Sequence, residues 1–342
     1  MLYIIMTTPL CNLKCSYCGG NLHGMPTDIS YDDELLKKII QKDPQAVVAF
    51  YGGEPLLRPK VIKHFLTLLP AKHFVINTNG YFISEIEDEL SQFDTILLSI
   101  DGRKEITDLY RGNGCYDQVL AARDLIVDSS FNGELIARMA VSKNTDIYKD
   151  VTHLLQFFPY VHWQLDAIWS VLWGVSEFSS WIEHSYKAGL TRLINDWIQG
   201  IKDNHIFGII PFLGIMTRLL FTEYNGLPCQ AGTESISITT NGNILACPIA
   251  PDFKWNDLGS LSQGYHPIQI SEPCPSCEVY RICGGRCMFT NKERLWGKQG
   301  FDALCDITKF LIWELEKNMP ICEPIKEKIK YPSFNNTTEI IP

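Results

Sequence analysis

Leu2-Tyr3-Ile4-Ile5-Met6 opens the chain as an unbroken apolar run, and similar runs return at 46–51, 73–77, 95–100, 135–141 and 162–168. Each has the length of a strand buried on both faces. Between them, hydrophobic residues recur at three- and four-residue spacing. Leu35, Leu36, Ile39 and Ile40 stand behind acidic residues suited to a helix start, and Val61, Ile62, Phe65, Leu66 and Leu69 repeat the pattern. Further helices are expected near 83–92, 116–128 and 148–158. Six strand-helix units predict an α/β fold with a parallel sheet. A partial (β/α)6, TIM-like barrel over 1–168 is the natural form, with an open doubly wound sheet as the alternative. In both, function collects at the strand C-termini.

Beyond 168 the pattern changes. Trp181, Leu190, Ile194, Trp197, Ile198 and Ile201 keep helical spacing, so 169–228 reads as a buried helical bridge. The stretch "SISITTNGNILACP" (235–248) alternates around Asn241-Gly242 and predicts a β-hairpin. Loop and a helix near 302–317 follow, making 229–318 a small α+β module. The polar end of the tail, 319–342, is expected to be poorly ordered.

With 342 residues and 46% hydrophobic content, the chain can bury one large core or two smaller ones. No apolar stretch approaches the ~20 residues of a membrane span, and no signal peptide opens the sequence, so a cytoplasmic protein without a membrane partner is expected. The net charge of −9, without any basic run, argues against a nucleic-acid partner. Twelve cysteines in such a chain point to metal rather than disulfides. Cys11, Cys15 and Cys18 cluster at the start, while Cys229, Cys247, Cys274, Cys277, Cys283, Cys287, Cys305 and Cys322 fill the last third. Cys115 and Cys322 read as buried, inert thiols.

The polar motifs of the first part all follow strands. Cys11-x3-Cys15-x2-Cys18 follows the first, Gly52-Gly53-Glu54-Pro55 the second, "NTNG" (77–80) ends the third and "SIDG" (99–102) ends the fourth. Any one alone is ordinary turn chemistry; together they mark one mouth. A cubane iron-sulfur cluster normally takes a thiolate on each iron, so three cysteines leave one iron open for a ligand. A structural zinc site is the competing reading, weakened by the lack of a nearby fourth ligand or a paired CxxC.

The Cys11, Cys15, Cys18 loop resembles the signature of the radical S-adenosylmethionine (SAM) superfamily. The resemblance implies a [4Fe-4S] cluster whose open iron holds the methionyl amino and carboxylate groups of SAM, and reductive cleavage to a 5′-deoxyadenosyl radical. Gly52, Gly53, Glu54 and Pro55 look like the family's GGEP segment, where absent Cβ atoms let the backbone near the methionyl amine and Glu54 accepts a hydrogen bond from it. Tyr17 matches the aromatic beside the adenine, and Asn79, Ser99 and Asp101 match positions facing the ribose and methionyl ends. For the cofactor carboxylate, Arg111 is the first candidate cation and Arg138 the second.

The seven cysteines from Cys229 to Cys305, with Gly242, resemble the SPASM extension of such enzymes, which holds two auxiliary [4Fe-4S] clusters. The resemblance implies Cys229, Cys247 and Cys287 on one, and Cys274, Cys277, Cys283 and Cys305 on the other. No eighth cysteine precedes Cys229, so the first auxiliary cluster is expected to keep an open iron for Glu223, water or a substrate thiolate. Asp166 is a further mouth candidate, as a base. Pro248 stands where some relatives carry an acid, which counts against a sulfatase-maturing role.

Enzymes of this group mostly modify peptides or proteins, and the layout resembles archaeal members of the same kind. The expected activity is hydrogen abstraction from a peptide or protein substrate, giving a cross-link, thioether or related modification. An external one-electron donor such as ferredoxin or flavodoxin is implied. The chain starts directly at its first strand, so leader recognition would fall to the mouth, the bridge or a separate leader-binding protein. Modification of a small metabolite or cofactor precursor is the alternative among enzymes, and an iron-sulfur electron carrier the alternative outside them.

Overall fold

A computed structural model describes residues 1–18, 24–167, 172–221, 226–294, 296–329, 331 and 341–342. Strands and helices alternate through the first half: β1 (Leu2–Thr8), α1 (Asp33–Ile40), β2 (Val47–Gly52), α2 (Pro59–Leu68), β3 (His73–Thr78), β4 (Thr95–Ser99), α3 (Lys104–Arg111), α4 (Cys115–Asp128), β5 (Glu134–Val141), α5 (Ile147–Leu154) and β6 (Tyr160–Leu165). Helix starts follow local chemistry. Asp32 caps α1 by accepting from the Glu34 N–H, Asp146 caps α5 by accepting from the Lys149 N–H, and Pro59 opens α2 where no amide hydrogen is needed.

The bridge contains α6 (Val175–Trp181), a π-helical turn at Ile182–Tyr186, α7 (Lys187–Lys202), the two-residue β7 (Gly208–Ile209) and α8 (Ile210–Leu220). Beyond it come β8 (Ser235–Ile238), β9 (Asn243–Leu245), β10 (Asp257–Ser260) and β11 (Gly264–Tyr265), then α9 (Tyr280–Cys283), α10 (Met288–Glu293), α11 (Gly297–Glu316) and α12 (Met319–Cys322). All eleven strands form one open sheet in the order β11-β10-β9-β8-β1-β2-β3-β4-β5-β6-β7. Strands β1 to β7 are parallel neighbours in sequence order. The expected hairpin is present as β8 and β9, and β8 docks parallel to β1 with Leu2 opposite Ser235 and Ile5 opposite Ile238.

Alternation across the sheet sorts the core into two sets. Leu2, Ile4, Val47, Ala49, Val75, Leu97, Ile136 and Ile210 pack together on the concave side. The residues that alternate with them along each strand, such as Tyr3, Ile5, Val48 and Phe50, pack against the helices.

Two expectations about elements change, and one helix is additional. The segment 83–92 is 3-10 rather than α-helical and breaks at Ile86 (φ −125°); burial of Ile83 and Ile86 three residues apart suits a three-residue turn. The expected strand 162–168 begins earlier and ends at Leu165, and Ile168 lies outside the described residues. Helix α3 escapes the pattern because it is short and buries only Ile106, Thr107 and Tyr110. Cys115 and Cys322 are both buried, as expected. The polar tail at 332–340 and Glu223 lie outside the described residues. Among those described, no helix is long and apolar enough to cross a membrane.

Candidate functional site

On the concave side the apolar layer gives way to polar residues near the strand ends. Continuing the same alternation, Tyr51 follows Val47 and Ala49, Asn77 follows Val75, Ser99 follows Leu97, and Arg138 follows Ile136. Together with Gln164 these line a cavity of about 320 Å³ at the strand C-termini. Cys11, Cys15, Cys18, Tyr17, Gly52, Gly53, Glu54, Asn79 and Arg111 line it as well. So do Pro248, Ile249, Arg286 and Cys287 from the C-terminal part. Pro55 is buried just outside the lining and starts a short 3-10 turn.

The cysteine loop is held by its neighbours. The Gly53 N–H donates to the Thr8 carbonyl at 2.9 Å and the Glu54 N–H to the Leu10 carbonyl at 2.8 Å. A Cβ on Gly52 would overlap the Thr8 carbonyl oxygen, and one on Gly53 the Leu10 carbonyl oxygen. These glycines therefore also serve the approach of the 8–10 backbone. Glu54 is 1% exposed and bridges two loops. Its Oε1 accepts from the Thr78 hydroxyl at 2.7 Å and the Leu56 N–H at 2.9 Å, and its Oε2 from the Asn79 N–H at 2.7 Å. Burial pushes the Glu54 carboxyl up to about 7, against those hydrogen bonds. The Asn79 amide in turn donates to Asn12 Oδ1 at 2.8 Å, reaching the loop from above.

Asp101 is fully buried and forms a second hub. It accepts from the Tyr17 hydroxyl at 2.6 Å, from Arg111 Nε at 2.8 Å and Nη2 at 2.7 Å, and from the Ala140 N–H at 2.9 Å. Arg111, placed by the end of α3, thus has two of its N–H groups committed to a carboxylate. Arg138 differs: its Nη2 donates to Gln164 Oε1 at 2.8 Å, but its buried Nε has no hydrogen-bond partner among the described residues. Asn77 Oδ1 is likewise a buried acceptor without one. A free donor on a cation and a free acceptor in one cavity complement the carboxylate and ammonium of an amino acid.

Cys11 and Cys18 are exposed and Cys15 half-buried, and each has another of the three within electrostatic reach. Burial lifts Cys15 to about 11, opposed by the Arg111 guanidinium. In the C-terminal part, Cys274, Cys277, Cys283 and Cys305 are mutual electrostatic neighbours. Burial pushes Cys283 up to about 12 and Cys305 to about 11. A metal group bound there would take these cysteines as thiolates and release their protons. Cys287 reaches the cavity, and Cys247 is fixed by Asn256, whose Oδ1 accepts from the Cys247 N–H at 2.7 Å. Among the described residues no three His, Cys, Asp or Glu side chains converge as ligands of a single ion would. A cubane instead spreads its ligands over separate irons.

Tyr51, Asn77, Gln164 and Arg286 line the cavity without having been singled out in the sequence; alternation from the apolar layer is the signal that finds the first three. Asp166 also lines it, accepting from the Ser142 hydroxyl at 2.7 Å.

The radical SAM superfamily model matches residues 5–156. The serine-type anaerobic sulfatase-maturating enzyme of Bacteroides thetaiotaomicron is 32% identical over 367 residues, covering 88% of this chain and 86% of that protein. The cysteine-type anaerobic sulfatase-maturating enzyme of Clostridium perfringens (strain 13 / Type A) is 25% identical over 325 residues, covering 81% and 85%. The solved structure of native anSMEcpe with bound AdoMet and Cp18Cys peptide shares the fold, with a TM-score of 0.70 at 18% identity over 95% of this chain and 99% of that one. The chain belongs to the radical SAM superfamily and is homologous to its SPASM-type sulfatase-maturating enzymes. It is thus a radical SAM enzyme, and its family implies a [4Fe-4S] cluster and SAM.

Proposed function

We propose that this enzyme modifies a peptide or protein at an unactivated C–H position. One observation carries the reading: a single cavity has Cys11, Cys15 and Cys18 on one wall and Pro248, Ile249 and Cys287 on the other. Cys11, Cys15 and Cys18 would hold one [4Fe-4S] cluster. Cys229, Cys247 and Cys287 would hold a second with an open position, and Cys274, Cys277, Cys283 and Cys305 a third. When bound, the first cluster and SAM supply a one-electron cleavage that yields a hydrogen-abstracting 5′-deoxyadenosyl radical.

The chain's own residues bind and orient. Arg138 is the cation for the cofactor carboxylate, a role that passes to it because Asp101 occupies Arg111. Asn77 offers its free oxygen to the ammonium. Tyr17, Ser99 and Asn79 wall the nucleoside side. The peptide enters from the Pro248 and Cys287 side, where Cys229, Cys247 and Cys287 would hold a group able to accept its surplus electron. Pro248 in place of an acid leads us to assign peptide modification without formylglycine formation. An external one-electron donor supplies the reducing electron, and a separate partner supplies leader recognition.

Anaerobic reconstitution tests this. About twelve irons per chain, with 5′-deoxyadenosine formed after dithionite and SAM and lost in the Cys11→Ala/Cys15→Ala/Cys18→Ala variant, is the expected result. About four irons, or zinc, would remove the auxiliary clusters from the account. Full iron without deoxyadenosine would favour an electron carrier.

A further inference from the structure

Tyr51 is the penultimate residue of β2, immediately before Gly52, and faces the concave side, opposite Met6 of β1. Its ring packs on the apolar layer of Leu2, Ile4, Val47 and Ala49, forming the top of that layer and the floor of the cavity. The hydroxyl end leaves the apolar layer for polar surroundings. It lies beside the Arg138 guanidinium, and it has Cys18 and Cys247 within electrostatic reach, one cysteine from each group. Burial raises the phenol pKa and Arg138 opposes that rise, so the phenol is neutral beside a fixed cation.

The neighbours of Arg138 make this placement informative. Gln164 holds Nη2 from one side, while the buried Nε of Arg138, a residue that lines the cavity, has no partner among the described residues. A guanidinium on a flexible stem needs a second support to keep its free edge aimed. Nothing apolar in the layer below can hydrogen-bond it; of the polar groups that rise from that layer, Tyr51 is the one whose hydroxyl interacts with the guanidinium.

We propose that Tyr51 is a positioning residue for SAM: its hydroxyl, with Gln164, fixes Arg138 so that the free guanidinium edge meets the cofactor carboxylate between the two cysteine-lined walls. This rests on the function proposed above. The hydroxyl acts through Arg138, so its removal weakens SAM binding without altering the floor that the ring provides.

The test uses the full chain, reconstituted and reduced, with SAM titrated against the electron paramagnetic resonance spectrum of its clusters. Tyr51→Phe keeps the ring and is expected to weaken SAM binding by about threefold to tenfold, the worth of one hydrogen bond to a charged group. Its spectrum before SAM should match the wild type. Arg138→Gln should weaken binding further, and Tyr51→Phe added to Arg138→Gln should cost nothing more, because the route through the guanidinium is already gone. Tyr51→Leu should lose at least as much as Tyr51→Phe. Wild-type affinity in Tyr51→Phe or Tyr51→Leu, or an equal loss from Tyr51→Phe with and without Arg138, would overturn the proposal. A wild-type spectrum that ignores SAM would instead overturn the proposed function, which keeps the two failures apart.

Discussion

The loop at 11–18 and the turn at 283–287 both present cysteines, but side chains from other strands hold the first and the backbone's own conformation holds the second. Asn79 and Asp101 reach the N-terminal loop from the residues that follow two different strands. In the C-terminal turn, Gly284, Gly285 and Arg286 all take positive φ, at 62°, 94° and 57°. A Cβ on Gly284 would overlap the Gly226 carbonyl oxygen. The thiols differ accordingly: Cys11 and Cys18 are exposed, while Cys283 is half-buried and Cys287 buried. A loop tied by polar side chains can face a soluble ligand, and a turn locked by backbone shape can be sealed in protein.

The comparison can be broken from either side. Gly284→Ala should do most damage, because a left-handed turn must move against backbone; iron counting should show roughly eight of about twelve irons lost, with the SAM response of the N-terminal cluster kept. Asp101→Asn comes next. It strands the Arg111 cation in the interior, and urea unfolding should report a loss of about 3–5 kcal/mol with the C-terminal irons retained. Glu54→Gln replaces an acceptor of three hydrogen bonds by a group whose amide faces donors, and a thermal melt should register about 1–3 kcal/mol. Tyr17→Phe removes one hydrogen bond to Asp101 and should cost about 1 kcal/mol by the same melt. Should Tyr17→Phe prove more harmful than Asp101→Asn, the hub would lie with the aromatic and not with the carboxylate.

Much of the fold was legible because parallel strands buried on both faces leave unmistakable apolar runs, as at 46–51 and 95–100. The four loops at the mouth were legible because each follows such a run. What each side chain there touches was not. Arg111 reads as a free cation until α3 turns it onto Asp101, and that short helix buries too few residues to announce itself. Gly52 and Gly53 read as room for a ligand, and the close approach of the Thr8 and Leu10 carbonyls is a further demand on the same positions. Tyr51 and Arg138 gain meaning only when neighbouring strands are placed in register. The hairpin at 235–248 was visible locally, but its docking on β1 is a pairing across more than two hundred positions, which no local pattern encodes.

That docking has a consequence for building hybrids of this enzyme. Because β8 lies against β1, the spacing between the Cys11–Cys18 loop and Cys247 is set by a ladder of main-chain hydrogen bonds and not by the length of the bridge. Sliding β8 by two residues would keep every side chain on its own face yet carry Cys247 roughly 7 Å along the strand. A transplanted C-terminal module therefore has to match the pairing of Leu2 with Ser235 before it matches anything in the linker, much as a gear must mesh at one tooth before its shaft length matters.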